Sequence, residues 1–405
     1  MVHQLSQSVQ FKRLPFMEED NLENLANLKT DYQSIKNDLI KLNKSLYQNP
    51  ELGYVEFESV KKIKAVLNKK IKNLNFKHYK DIPTAFTTSL NNKYKNKVSI
   101  CIEYDALPAV GHACGHNLIT SIGIGAFYIL SKHLDKLNFS IELVGCPAEE
   151  IIPLTYPNGG GGGKIKLIEK GVFDNSDFAL MIHPATRNEV DPLMIAVKQL
   201  DIEFHGKAAH ASGSAYIGKN ALDAQIIAYN SVSVLRQQLE PTEKVHGIIT
   251  DGGYSPNIIP EYTRSSWMIR SQKTKDLYKL EKKLLNCFKG AANATGCKLK
   301  VINGNGTYEN LVTNSKLKNI FLENAMKLGI DMKTNQHFDQ TKNGSTDFGN
   351  ISKIVPSLHA FLQIVEDDGK IVNHQPEFAD ATITDRAISS VETGSMLIAS
   401  TILDL

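Results

Sequence analysis

The sequence predicts an α/β protein whose mixed-sheet catalytic domain is interrupted by a smaller α+β unit. Three observations predict it. Amphipathic helical segments alternate with short apolar strands over residues 31–195, the pattern turns strand-rich over 196–308, and the first style returns over 309–405. With 405 residues, 42% of them apolar, the chain can fill two or three cores at roughly 100–200 residues per domain.

Residues 1–30 are polar and weakly patterned, and read as an N-terminal extension or a first short helix. From Asp31 to Tyr47, the apolar Ile35, Leu39, Ile40, Leu42 and Leu46 recur at helical spacing, and Asn49-Pro50-Glu51-Leu52-Gly53 then makes a turn. A second helix is expected around Val60–Leu67. A strand at Val98–Glu103 runs into Tyr104-Asp105-Ala106-Leu107-Pro108. After a helix at Asn117–Leu130, the strand Ser140–Gly145 leads through Cys146 into Pro147-Ala148-Glu149-Glu150. A helix at Ile165–Lys170 precedes the strand Phe178–Ile182, which delivers His183-Pro184. Three successive strands thus end in groups that can bind or react, which places a site along one edge of the sheet.

Within 196–308, strands are expected at Gln199–Phe204, His246–Thr250 and Ser265–Ile269, with helices at Asn220–Gln238 and Thr274–Ala292. A helix at Leu317–Leu328 and a strand at Ala360–Ile364 then resume the first domain. The 46 basic and 43 acidic residues leave a formal charge of +3 and no basic stripe, so nucleic acid is not an expected partner. No apolar run approaches the ~18 residues of a membrane span, and Met1–Thr30 has no signal-peptide core. The cysteines, Cys101, Cys114, Cys146, Cys287 and Cys297, are odd in number and irregularly spaced; a reducing, cytoplasmic setting is expected.

Chemistry concentrates in a few segments. Gly111-His112-Ala113-Cys114-Gly115-His116-Asn117 offers a thiolate and an imidazole, ligands suited to zinc, manganese, cobalt or nickel. In the pair Glu149-Glu150, one carboxylate can bind metal while its neighbour takes a proton from water. With His183 and His374, five N, S and O donors would accommodate two divalent ions and leave positions for water and substrate. Asn158, Gly159–Gly163 and Lys164 mimic a phosphate-binding loop, but Ile165 stands where Ser or Thr is required; a mobile loop is expected instead.

These segments resemble the M20 family of metallopeptidases, in its aminoacylase-like amidohydrolase branch. The resemblance rests on Glu103-Tyr104-Asp105-Ala106-Leu107-Pro108, the Cys114/His116 and Glu149/Glu150 segments, His183-Pro184, Gly206-Lys207-Ala208-Ala209-His210-Ala211, Asn257-Ile258-Ile259-Pro260-Glu261, Gly344-Ser345-Thr346-Asp347-Phe348-Gly349-Asn350 and His374-Gln375-Pro376-Glu377-Phe378, in family order. It implies a zinc-peptidase-like catalytic domain with an inserted lid/dimerisation domain. It further implies two divalent ions held by Cys114, His116, Glu150, His183 and His374, with Glu149 as general base. Asp105 would orient a ligand. His210 would help hold the scissile carbonyl, in dimeric relatives from across the subunit boundary. Asn257 would contact substrate, and Gly344, Ser345 and Thr346 would form a loop beside the site. His112 is expected to be structural, and His359 either supports a ligand or fills the core.

The implied reaction is hydrolysis of an N-acyl amino acid, an aminobenzoyl-glutamate-like amide or a small dipeptide by a homodimer or higher homo-oligomer formed through the inserted domain. Two departures stand out: Glu103-Tyr104-Asp105 lacks the histidine of the His-x-Asp found in many relatives, and Asn117 replaces an aspartate. The competing reading is a catalytically silent binding or regulatory protein. Loss of the base would favour it, and Glu149 is present with every ligand.

Overall fold

A computed structural model describes residues 19–154, 159–338 and 343–405. In chain order the elements are α1 (Glu19–Gln48), α2 (Phe57–Lys70), β1 (Lys77–Tyr79), β2 (Ile82–Leu90), β3 (Lys97–Glu103), α3 (His116–Leu130), β4 (Ser140–Cys146), α4 (Gly163–Glu169) and β5 (Ser176–Ala185). They continue with β6 (Ala196–His205), α5 (Ala221–Leu235), β7 (Lys244–Asp251), β8 (Tyr262–Ser271), α6 (Thr274–Thr295) and β9 (Lys298–Tyr308). The last are α7 (Ser315–Lys327), α8 (Phe348–Ile351), β10 (Ser357–Gln363), α9 (Pro376–Ala381) and α10 (Asp385–Leu403).

One sheet has six strands in the order β1-β2-β4-β3-β5-β10. The four from β4 to β10 run parallel, while β1 and β2 form an antiparallel edge. Every residue of β4 is buried, and so are six of the seven in β3, as parallel strands covered on both faces require. Against this sheet packs α3, buried along its whole length, with α1 and α10 stacked outside it. Because β4, β3 and β5 are neighbours with one direction, their C-terminal ends lie side by side. That edge carries the site.

The helix expected from Asp31 starts at Glu19. Leu25, Leu28, Tyr32, Ile35, Leu39, Leu42 and Leu46 are all buried at alternating spacings of three and four, a stripe that begins inside the supposed extension. Among the elements that went unread are the strand β2, the strand β9 and the C-terminal helix α10, whose N-cap Thr384 accepts a hydrogen bond from the Ala387 N–H.

The second sheet, β7-β8-β6-β9, is antiparallel throughout and drawn wholly from 196–308. Alternate residues of β8 are buried, the period-2 signature of a sheet covered on one side by α5 and α6. Its core is separate and includes Phe204, Trp267, Leu280, Leu284 and Phe288. No helix of the described residues is long and apolar enough to cross a membrane.

If the stripe on α1 holds the fold, Leu28→Ala should cost about 2–5 kcal/mol in chemical denaturation, as for other buried leucines. A loss below about 0.5 kcal/mol, the level of an ordinary surface substitution, would restore the extension reading.

Candidate metal centre

The turn after β3 and the start of α3 bring the first groups together. Asp105 follows the end of β3, and His116 opens α3. The Nδ1 of His116 lies 2.9 Å from Asp105 Oδ1, and Asp105 Oδ2 accepts the Glu150 backbone N–H at 2.9 Å. One buried carboxylate therefore orients an imidazole and pins the loop that carries both glutamates. Since a carboxylate accepts, Nδ1 carries the proton and Nε2 faces the site. There it lies 3.3 Å from Glu103, 3.8 Å from Glu149 and 3.9 Å from Glu150.

His183, near the end of β5, donates from Nδ1 to the Pro184 carbonyl at 2.7 Å, which leaves Nε2 unprotonated 3.5 Å from Cys114 Sγ. From the opposite wall, His374 approaches Glu150 Oε1 to 3.6 Å. Among the described residues three groups each bring their donor atoms within 4.8 Å of one another: Cys114, His116 and His183; Cys114, Glu150 and His374; and Glu103, His116 and Glu149. Both His116 Nε2 and Glu150 Oε1 are buried with no hydrogen-bond partner. Buried polar atoms that converge without partners call for a cation, and this N, S and O donor set suits two divalent ions. Cys114, His116, Glu150 and His183 are buried or nearly so, whereas the His374 side chain is 55% exposed.

Backbone strain helps to aim these groups. Ala148 (φ 51) and His374 (φ 73) occupy the left-handed region, each at a cost of order 1–3 kcal/mol that the surroundings must offset. Glu56 Oε1 accepts the Ala148 N–H at 2.8 Å, and the His374 N–H binds the Ala113 carbonyl at 2.8 Å.

The described part of the glycine run is a packed segment rather than a mobile loop. A Cβ on Gly163 would fall 1.7 Å from the Pro147 carbonyl oxygen, and one on Gly161 would fall 2.2 Å from the Tyr308 hydroxyl. Tyr308 accepts the Gly162 N–H at 2.6 Å and donates to the Glu149 carbonyl at 2.7 Å. Asn158 lies outside the described residues. Lys164, at the end of the run, is fully buried. Its Nζ sits 2.6 Å from Glu103 Oε1 and pairs also with Asp347, whose Oδ2 accepts the Lys164 backbone N–H at 2.9 Å.

Electrostatics follow from burial. The Glu149 carboxyl is pushed well above its ordinary value by burial, then by the charges of Glu103 and Glu150. Burial alone would lower His116, but the carboxylates of Asp105 and Glu103 outweigh it and hold it well up. Burial, with His359 beside it, drives His183 down to about 3 and keeps it neutral. His112 is likewise down to about 3 and His359 to about 4, both buried without hydrogen bonds to their ring nitrogens. Asn117 turns away from the site and donates to Thr382 Oγ1.

A cavity of about 960 Å³ opens over this centre. Gly344, Ser345 and Thr346 line it beside Cys114, Glu149 and His374, and the second sheet contributes Val197, Met268 and Arg270. Sequence reading missed Arg270, which donates to Ser345 Oγ at 3.0 Å and has no carboxylate in ion-pair reach among the described residues. His210 and Asn257 are brought together but not to this cavity. They are exposed in adjoining segments, where His210 pairs with Ile258 and Asn257 accepts the Ala211 N–H. Both lie past the Tyr262 end of β8, nearly the full strand away from Arg270, or roughly 26 Å at about 3.3 Å per residue.

The sequence profile of peptidase family M20/M25/M40 matches residues 103–401. The chain belongs to this family. It is a hydrolase of peptide or amide bonds. The Xaa-Arg dipeptidase of Homo sapiens is 35% identical over 382 residues, 90% of this chain and 84% of the relative. That of Mus musculus is 39% identical over 313 residues, 76% and 70%. A dinuclear metal-binding M20 peptidase of Bacillus subtilis shares the fold with a TM-score of 0.65 at 20% identity, over 92% of this chain and 99% of its own.

Within this M20 hydrolase, Glu56 is a buried acid raised to about 8, by burial first and the charge of Asp105 second. Between its ordinary value of 4.5 and about 8, the folded state keeps a proton that the unfolded chain has lost. Stability therefore falls as pH rises through that window. In metal-free protein, Glu56→Gln should gain melting temperature over wild type progressively from about pH 5 to about pH 8. A difference that does not change with pH would refute the assignment.

Proposed function

We propose that this chain is a dinuclear amidohydrolase that cleaves a small dipeptide or N-acyl amino acid bearing a free carboxylate. The observation that carries the reading is the convergence of unpartnered His116 Nε2 and Glu150 Oε1 on Cys114, His183 and His374, with Glu149 alongside. Cys114, His116 and His183 would hold one ion, and Cys114, Glu150 and His374 the other. Bound there, two divalent ions would lower the pKa of a water and polarise the scissile carbonyl. Glu149 takes the proton from the attacking water and passes it to the leaving amine, the usual double role of a carboxylate within reach of that water. Asp105 holds the His116 tautomer and the Glu150 backbone through both steps.

Arg270 supports the carboxylate part of the reading. It is a cation on the cavity wall without an acidic partner among the described residues, tied to the Ser345 hydroxyl beside Gly344. Asp367 and Asp368 on the same wall would face a cationic side chain, in keeping with relatives that are Xaa-Arg dipeptidases. Dipeptides ending in arginine are the first substrates to assay.

The remaining part of the proposal is a homodimer through residues 196–308. Among the described residues the edge strand β7 has no strand on its outer side, and it exposes Ile248 (65%) and Ile249, with Val234 (70%) on α5. Unpaired edges of this kind invite a second chain. His210 would then act in the partner's cavity, as a donor to the oxyanion that forms there.

Glu149→Gln should lower kcat by at least about 10²–10⁴-fold, the usual contribution of a general base, while metal content by elemental analysis stays at the wild-type level. Near-normal turnover in that variant would end the mechanism. A separate test addresses His210. Co-expressed with distinct tags, Glu149→Gln and His210→Asn chains should form a heterodimer that regains activity through its one intact composite site; a heterodimer as inactive as both parents would confine His210 to its own subunit.

A further inference from the structure

Glu103 and Lys164 have no place in that mechanism, yet they sit against its centre. Both are fully buried. Lys164 Nζ lies 2.6 Å from Glu103 Oε1, and Asp347 takes the other side of the ammonium and the Lys164 backbone N–H. One oxygen of Glu103 is thus clamped. The other, Oε2, makes no hydrogen bond and lies 3.3 Å from His116 Nε2, itself unpartnered. Because Asp105 holds the proton on Nδ1, a neutral His116 turns a lone pair toward the Glu103 carboxylate. For a neutral ring such a contact is repulsive unless a metal ion lies between the two; without one, a second proton on His116, favoured by the Asp105 and Glu103 carboxylates, takes that place.

The separation fits that cation. Two donors about 2.0–2.2 Å from one ion are roughly 2.8–3.6 Å apart at octahedral to tetrahedral angles. The 3.3 Å between Oε2 and Nε2 falls inside that range, and Glu103, His116 and Glu149 form a donor group within 4.8 Å. We propose that Glu103 is a further metal ligand, giving Oε2 to the ion held by His116 Nε2, and that Lys164 is the positioning residue that keeps Oε1 out of the coordination sphere. The inference rests on the dinuclear reading above.

Its consequence is an asymmetric pair of sites. The inner ion has four protein donors, Cys114, His116, His183 and Glu103, and is closed in the manner of a structural site. The outer ion has three, Cys114, Glu150 and the half-exposed His374, and keeps the open position that substrate needs. Glu149, although within the same donor group, is left free to move protons.

Calorimetric titration of chelator-stripped full-length protein with Zn²⁺ tests this directly. Wild type should bind two ions with different affinities. Glu103→Gln should weaken the tighter one by more than ~100-fold, beyond what the loss of a group that only supports a ligand costs, and leave the weaker one within about threefold. Lys164→Met should weaken the tighter ion by roughly tenfold, and an unchanged affinity overturns the clamp. Two ions bound by Glu103→Gln with wild-type affinities would overturn the ligand assignment while leaving the dinuclear centre intact. A wild type that binds no ion overturns both. Should the variants fail to fold, a crystal structure of the unmodified chain loaded with Mn²⁺ decides: Oε2 at about 2.0–2.2 Å from the ion supports the proposal, and more than about 3 Å overturns it.

Discussion

A charge taken out of water must be matched, and that requirement organises the interior of this molecule. Glu103, Asp105, Glu149, Glu150 and Asp347 are all buried around one point, and among the described residues the one buried ammonium there is Lys164. An unmatched ion in such a place costs several kcal/mol. The histidines cannot close the gap from every side, because burial keeps His112, His183 and His359 neutral. Five carboxylates against one lysine leave an excess of negative charge that divalent ions would offset. Without the ions, protons stand in. Burial and neighbouring carboxylates favour them by raising Glu149; the Asp105 and Glu103 carboxylates do so by holding His116 well up; and burial, chiefly, does so by raising Asp347 to about 6. Cations bound there would invert that arrangement and would free Glu149 for its proposed role as a base.

The fold supplies the place where this matching happens. Parallel strands end together, so β3, β4 and β5 present Glu103, the Glu149–Glu150 pair and His183 within one short edge. The remaining work falls to backbone rather than to side chains. Ala148 and His374 adopt conformations that side chains rarely take, and hydrogen bonds from their N–H groups to the Glu56 carboxylate and the Ala113 carbonyl hold them there. Glycines then let α4 pass under the glutamate loop, where Gly163 meets the Pro147 carbonyl with no room for a Cβ. The run that mimics a phosphate cradle is a packing device that delivers Lys164 to Glu103.

What could be read from sequence was local. Cys114 and His116 are two residues apart, Glu149 and Glu150 are adjacent, and each follows a strand or opens a helix, so short windows held the information. Lys164, Glu103 and Asp347 were missed for the opposite reason. Their pairing spans 61 and 183 residues, and a lysine after five glycines reads as solvent-exposed until the fold buries it. Arg270 was hidden similarly, as one more charge at the end of an amphipathic strand. The early part of α1 was lost to its polar residues, although Leu25 and Leu28 continue the same stripe as Leu39 and Leu46.

One tension within the second sheet points beyond a single chain. Its β8 strand runs from the His210–Asn257 end to the Arg270 end, and the two ends are about eight strand residues apart. A stiff antiparallel strand of that length cannot fold back to bring both ends to one cavity. The Arg270 end already walls the cavity of its own subunit, with Val197 and Met268. If His210 takes part in the reaction, it must therefore do so in another subunit's site, and the exposed edge of β7 on the same sheet is where a second copy would align. Such an arrangement would divide one sheet between two active sites, with the carboxylate anchor given to one and the oxyanion donor to the other. Subunit assembly would then be a condition of catalysis, because neither cavity is complete until both copies are in place.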